Sequence, residues 1–241
     1  TVAIGNDALT ALTTGAGNIA VGYQALATNN TGAYNVGIGY HALYDNAGGD
    51  SNVAIGGHAL ENNTSGVANV AIGSWDSSTY QAPLTGNLVG SFCVAIGSGA
   101  LRTANENDND GTVAIGYGAL NLQAGTGGSQ HDSSQVAIGC FAGAAITTGK
   151  NNTAIGHQSL TTEDTGDGNT AVGYRSLQNV NGADNNQNSG FGTKAGDVIT
   201  TGTNNTCIGA NTDPSANSGA NQTVIGSGAT GQADNSVTLG N

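Results

Sequence analysis

The chain has 241 residues, 41 of them Gly and 30 Asn, with 8% charged residues and a formal net charge of −12. Glycine costs a helix about 1 kcal/mol per residue, which excludes long helices at this density, and no apolar run reaches the ~18 residues of a membrane span. Four scattered cations (Arg102, Lys150, Arg175, Lys194) cannot displace nucleic-acid counterions or hold an anionic lipid surface, so neither nucleic acid nor membrane insertion is expected.

Taken in chain order, one five-residue motif accounts for the sequence. TVAIG opens it, followed by NIAVG, NVGIG, NVAIG, NVAIG, CVAIG, TVAIG, QVAIG, NTAIG, NTAVG, NSGFG, NTCIG, QTVIG and SVTLG. The motif glycines stand at 5, 22, 39, 56, 73, 97, 116, 139, 156, 173, 192, 209, 226 and 240, and eight of the thirteen intervals are 17 residues. Ala-Leu follows three and four residues after many of these glycines, as in Ala25-Leu26, Ala42-Leu43 and Ala59-Leu60. A second glycine, in most 17-residue units preceded by Ser or Thr, recurs seven residues before the motif glycine. Glycine at a fixed place marks a backbone turn. Thr1 already lies inside a motif and no leader-like segment precedes it, so the sequence reads as a mature or excised piece of something longer.

Two short apolar segments and two glycine corners in about 17 residues predict one coil of a β-solenoid rather than a helical repeat. The fold class is therefore all-β: a parallel solenoid of about 14 coils forming a single domain over 1–241, with enlarged loops at 74–93, 102–112 and 121–135. Alternate strand residues face opposite ways. The bulky side is expected inside the coil, making a core of Ile4, Val21, Ile38, Ile55, Ile72, Ile96, Ile115, Ile138, Ile155, Val172, Ile208 and Ile225. The Ala/Gly side is then left for close approach by another backbone. Asn opens eight copies, and stacking would join these residues in an amide ladder. Rungs roughly 4.8 Å apart would make a rod on the order of 65 Å long.

The N-[ST/V]-A-I-G pattern followed by a small residue and Leu resembles the head repeat of trimeric autotransporter adhesins, of the Yersinia adhesin type. It is similar as well to repeat-rich bacteriophage tail fibres, which the 17-residue unit fits better than the shorter adhesin repeat. The closing SVTLGN (236–241) resembles the segment ending such repeats, often just ahead of a self-cleaving trimerisation chaperone. The resemblance implies a left-handed β-roll, a side-by-side homotrimer, attachment to a surface as the role, and a virion-surface or extracellular location.

Features that could carry chemistry are few. Cys93, Cys140 and Cys207 occupy different repeat positions in coils too far apart for a disulfide and read as buried thiols. His41 and His58 share a position in consecutive coils, but a metal site needs three or four convergent ligands, so they read as solvent-facing. Tyr23, Tyr40, Tyr117 and Tyr174 share the position after the motif glycine and read as corner residues. The run 105–111 resembles the opening of a calcium loop, offering Glu106, Asp108 and Asp110 as weak ligands. Tyr117 stands where an EF-hand requires Glu, so that motif is excluded. No catalytic constellation stands out, no enzyme is read, and no cofactor is expected beyond possible calcium.

The leading functional expectation is a structural fibre or attachment protein, self-associating and recognising a cell-surface glycan or protein receptor. Three of the four long intervals, 73–97, 97–116 and 116–139, are consecutive and carry Trp75, Tyr80 and Phe92, the candidate receptor-binding residues, since loops on a rigid scaffold collect recognition. The alternatives are an end-stacking filament subunit, an ice-binding solenoid and a glycan-degrading tail spike. An ice-binding face needs outward Thr ranks; Thr153, Thr170, Thr206 and Thr223 form one, expected to point inward with the core Ile.

Overall fold

The computed structural model describes residues 1–75, 81–103, 110–123, 134–182 and 186–240. Each motif forms a three-residue strand: β1 Val2–Ile4, β2 Ile19–Val21, β3 Val36–Ile38, β4 Val53–Ile55, β5 Val70–Ile72, β6 Val94–Ile96, β7 Val113–Ile115, β8 Val136–Ile138, β9 Thr153–Ile155, β10 Thr170–Val172, β11 Ser189–Phe191, β12 Thr206–Ile208, β13 Thr223–Ile225 and β14 Val237–Leu239. The chain divides into two compact units, Thr1–Asp132 and Ser133–Asn241. In the first, β1 to β7 pair consecutively in parallel, with each motif residue opposite its counterpart, as Ile4 is to Val21 and Ile38 to Ile55. In the second, β8 to β14 do the same. Each unit is a parallel β-solenoid.

The coil is closed by residues held at positive φ. After the strand the motif glycine takes φ near +135°, as at Gly22 and Gly39, and a Cβ on Gly39 would lie 2.6 Å from the carbonyl of Gly56 in the next coil. The Leu of Ala-Leu then adopts the left-handed conformation, with φ of +53° at Leu26, +54° at Leu43 and +51° at Leu60. That conformation costs an ordinary residue roughly 1–2 kcal/mol. Burial offsets it: these leucines are fully buried, and a buried Leu side chain gains about 1.5–3 kcal/mol. Their amides also reach the next coil, Leu26 N–H donating to Ala42 O at 3.0 Å and Leu43 N–H to Ala59 O at 3.0 Å.

Inside the coil the expected strand orientation is reversed. From β2 to β13 the central residue of each motif faces in, with Ala20, Ala54, Ala71, Ala95 and Ala114 at 0% exposure. The residues assigned to the core face out: Ile4, Ile38, Ile55, Ile138, Ile208 and Ile225 are exposed, and Val21, Ile72, Ile96, Ile115, Ile155 and Val172 are half-buried. Space explains the reversal. A Cβ on Gly37 would already meet Ala42 O at 3.1 Å and Leu26 Cγ at 3.2 Å, so the inward site opposite Leu holds an Ala and not an Ile. The small face consequently packs on its own coil and cannot receive another chain.

The amide ladder forms as expected, and it is buried. Oδ1 of Asn18, Asn35 and Asn52 accepts from the backbone N–H of Asn35, Asn52 and Asn69 at 2.8–2.9 Å. The Nδ2 groups of Asn18, Asn35, Asn52 and Asn69 donate to the carbonyls of Gly32, Gly49, Gly66 and Gly90 at 2.7–2.8 Å. These coils thus satisfy backbone polar groups that burial would otherwise leave unpaired. A second ladder in the first unit links Asn29, Asn46, Asn63 and Asn87, side chain to side chain.

Candidate functional site

Two surfaces stand out, the outward strand face and one corner of the first unit. On the strand face, the first and third motif residues of successive coils align in two ranks set by the strand register. In the first unit both ranks are aliphatic: Val2, Ile19, Val36, Val53, Val70, Val94 and Val113 beside Ile4, Val21, Ile38, Ile55, Ile72, Ile96 and Ile115. In the second unit the third-residue rank stays apolar, from Ile138 to Leu239. Thr153, Thr170, Thr206 and Thr223 enter the other rank, and they face outward, half-buried, rather than inward.

The corner follows the strands. Gln24, His41, His58 and Trp75 occupy the same position in four successive coils, two residues after the motif glycine. The first three of them hold φ of +52°, +54° and +60°. Tyr23 and Tyr40, one residue earlier, stack at 5.4 Å between ring centroids with 10° between planes. Tyr40 lies on His41 at 4.1 Å and 7°, and Tyr44 covers His41 at 4.7 Å. His58 meets the edge of Trp75 at 5.2 Å and 89°. Glu61 closes the group: its Oε1 lies 3.1 Å from Nδ1 of His41 and its Oε2 2.9 Å from Nδ1 of His58. A cavity of about 180 Å³ adjoins, lined by His58, Glu61, Trp75, Gln81, Ala82 and Thr85. The two histidines are therefore engaged, not simply solvated. The residue that sequence reading missed is Glu61. Its only signal is the three-residue spacing from His58, which has meaning once the turn is known to fold those two positions together.

The other candidates are dispersed. Trp75 is 54% exposed just after β5, whereas Phe92, 55% exposed, precedes β6. They stand at opposite ends of the short strand and do not form one patch. Tyr80, Glu106 and Asp108 lie outside the described residues. Asp110 is nearly buried and accepts the Ser91 backbone N–H at 2.6 Å, which gives that carboxylate a structural task. Tyr174 stacks on His157 at 5.6 Å, as expected of corner residues. None of the three cysteines is in a disulfide; burial pushes the thiols of Cys93 and Cys207 up to about 12, which keeps them protonated and inert. Among the described residues, no helix is long and apolar enough to cross a membrane. Comparison with protein-family models, with curated proteins and with solved structures finds no match for this chain.

Proposed function

We propose that the protein is a structural fibre and attachment module, a left-handed solenoid that associates side by side as a homotrimer and displays a receptor-binding surface outside the cell or on a virion. The observation carrying this reading is the outward Val/Ile face. Exposed, contiguous apolar ranks of this kind mark interaction surfaces, and in the first unit no polar side chain interrupts either rank. A face with one register per coil suits a second copy of the same chain, whose ranks repeat at the same spacing. The repeat resemblance points to three copies. Trp75, projecting from the corner beside the cavity, supplies an aromatic platform for a cell-surface glycan or protein receptor, since exposed aromatics anchor such contacts. Sedimentation at micromolar concentration should give a single species near three times the 23.5 kDa chain mass. A 23.5 kDa species would overturn the reading, and an open-ended size distribution would favour end-stacking filaments.

The outward Thr rank of the second unit favours one further reading, an ice-binding face. It matches only half of the two-Thr arrangement, because Ile155, Val172, Ile208 and Ile225 fill the neighbouring rank. Thermal hysteresis that disappears when Thr170 and Thr206 are replaced by Lys would establish it in place of the fibre.

A further inference from the structure

We propose that His41, His58 and Glu61 form a binding site for a divalent transition-metal ion of the zinc class, with a fourth coordination position open toward the cavity beside Trp75. One ligand atom from each of the three residues lies within 4.8 Å of the others. Both Nδ1 atoms face the same carboxylate at 3.1 and 2.9 Å. Tetrahedral zinc with bonds of about 2.0–2.2 Å requires ligand atoms a little over 3 Å apart, so small rotations suffice to admit the ion.

Hydrogen bonding on His41 points the same way. Its Nε2 lies 2.7 Å from Gln24 Oε1 while its Nδ1 lies 3.1 Å from Glu61 Oε1. A neutral imidazole has one N–H and cannot donate to both oxygens. If the N–H goes to Gln24, the Nδ1 lone pair opposes a carboxylate oxygen, and a cation between them removes the repulsion. Gln24 then plays the part that metal-bound histidines usually require, an acceptor for the other ring nitrogen. The competing solutions are an extra proton on the ring or a reversed Gln24 amide that donates to Nε2.

The surroundings suit a cation. Glu61 has the two imidazoles as its ion-pair partners among the described residues. Asp45 stands against the group, its backbone N–H donating to Glu61 O at 2.8 Å. The ligands are also preorganised: Tyr40 and Tyr44 clamp the His41 ring, Trp75 abuts His58, and each ligand side chain is only about a fifth exposed. His58 and Glu61 line the cavity as well as the cluster, so the remaining position is available to water or to an anionic group of a bound molecule.

The site lies within one chain and does not depend on the association proposed above. Calorimetric titration of the intact protein with Zn²⁺, and absorption spectroscopy with Co²⁺, should show one saturable ion per chain and the intense visible bands of tetrahedral cobalt. His58→Ala and Glu61→Gln should each weaken Zn²⁺ binding at least 100-fold. Gln24→Ala, which removes no ligand, should weaken it about 10-fold. His157→Ala, at a remote corner, should change nothing, and unaltered circular dichroism should show that each variant is folded. Absence of saturable binding, binding indifferent to His58 and Glu61, or octahedral cobalt spectra would overturn the proposal and leave a proton-bridged His–Glu–His cluster.

Discussion

The two units share a backbone and a register but use opposite chemistry at two positions of the coil. Outside, the leading strand rank is uniformly aliphatic in the first unit and largely Thr or Ser in the second. Inside, the place seven residues after the motif glycine, or fourteen in the enlarged coil after Gly73, holds the Asn29, Asn46, Asn63 and Asn87 ladder in the first unit, but Ile146, Glu163, Val180 and Ile199 in the second, all buried. Hence neither position defines the coil. What both units keep is a mostly small inward residue, the buried Leu or its equivalent at the turn, and the ladder of Asn or Gln just before most strands. These set the spacing of the coils, and the variable positions are free to tune surface and interior separately.

The sharpest way to break the comparison is to attack what the units share. Leu60→Ala in the first and Leu177→Ala in the second should each cost about 2–5 kcal/mol, because both side chains are fully buried in a tight interior. Ile55→Ala, on the outward face at 38% exposure, should cost the isolated chain far less. Urea unfolding under dissociating conditions ranks the three, and an Ile55 effect equal to that of Leu60 would overturn the inward and outward assignment.

Exchanging the variable interior comes next. Asn46→Leu would take the donor from Asn29 Oδ1, at about 1–3 kcal/mol for the group left unpaired, while Gly49 O keeps Asn35 Nδ2 and Asn63 Nδ2 keeps Gly66 O. Ile199→Asn would bury an amide where the second unit is aliphatic, with a penalty of the same order. Both should lower the urea midpoint. If either substitution proved neutral, the two interiors would be interchangeable rather than fitted to their own coils.

Much of this was legible in the sequence. Repeat register, parallel strands, turn glycines and the Asn ladder all follow from spacing, because a 17-residue period leaves little choice of pairing partner. The direction of the strands was not legible. Alternation places Ala and Ile on opposite faces without saying which is inside, and the usual preference for burying the larger residue points the wrong way here. The deciding fact is three-dimensional: Leu26, Leu43 and Leu60, set in the left-handed conformation, already fill the coil and leave room only for Ala or Gly. At the corner, the common rank of Gln24, His41, His58 and Trp75 could be read from spacing, but the approach of Glu61 across the turn could not.

The outer face separates the units by a smaller margin. Val53→Asp with Ile55→Asp should abolish self-association while leaving the monomer folded, since both side chains point out of the coil. Thr206→Val with Thr223→Val in the second unit should tighten association several-fold, because the added apolar surface strengthens packing by about 1 kcal/mol. Sedimentation equilibrium reads both, and an unfolded Asp variant would return those residues to the core.

The smallest expected effect concerns Glu163, a carboxyl in the variable interior of the second unit. Glu163 is fully buried, and burial raises its carboxyl above the ordinary range, outweighing the backbone N–H bonds from Gly166 and Asp164 that pull it down. A folded value above the unfolded one means the fold favours the protonated form. That contribution is fully present below the ordinary glutamate range and is lost as pH rises through the higher folded value. At neutral pH the charged side chain therefore opposes folding. Glu163→Gln keeps an oxygen to accept from Gly166 N–H at 2.7 Å and Asp164 N–H at 3.1 Å. The new amide faces Nδ2 of Asn186 at 3.3 Å and of Asn169 at 3.5 Å; Asn169 Oδ1 is held by the Asn188 N–H at 3.0 Å, so it is Asn186 that must turn to accept from it. Gln123 already fills the matching place in the first unit, fully buried. The variant should have a higher urea midpoint than the wild type at pH 7, and the gap should close toward pH 4. A gap of opposite sign that stays constant across this range would mean that the carboxylate is held charged by its hydrogen bonds, and that the second unit tolerates a buried charge where the first uses amides.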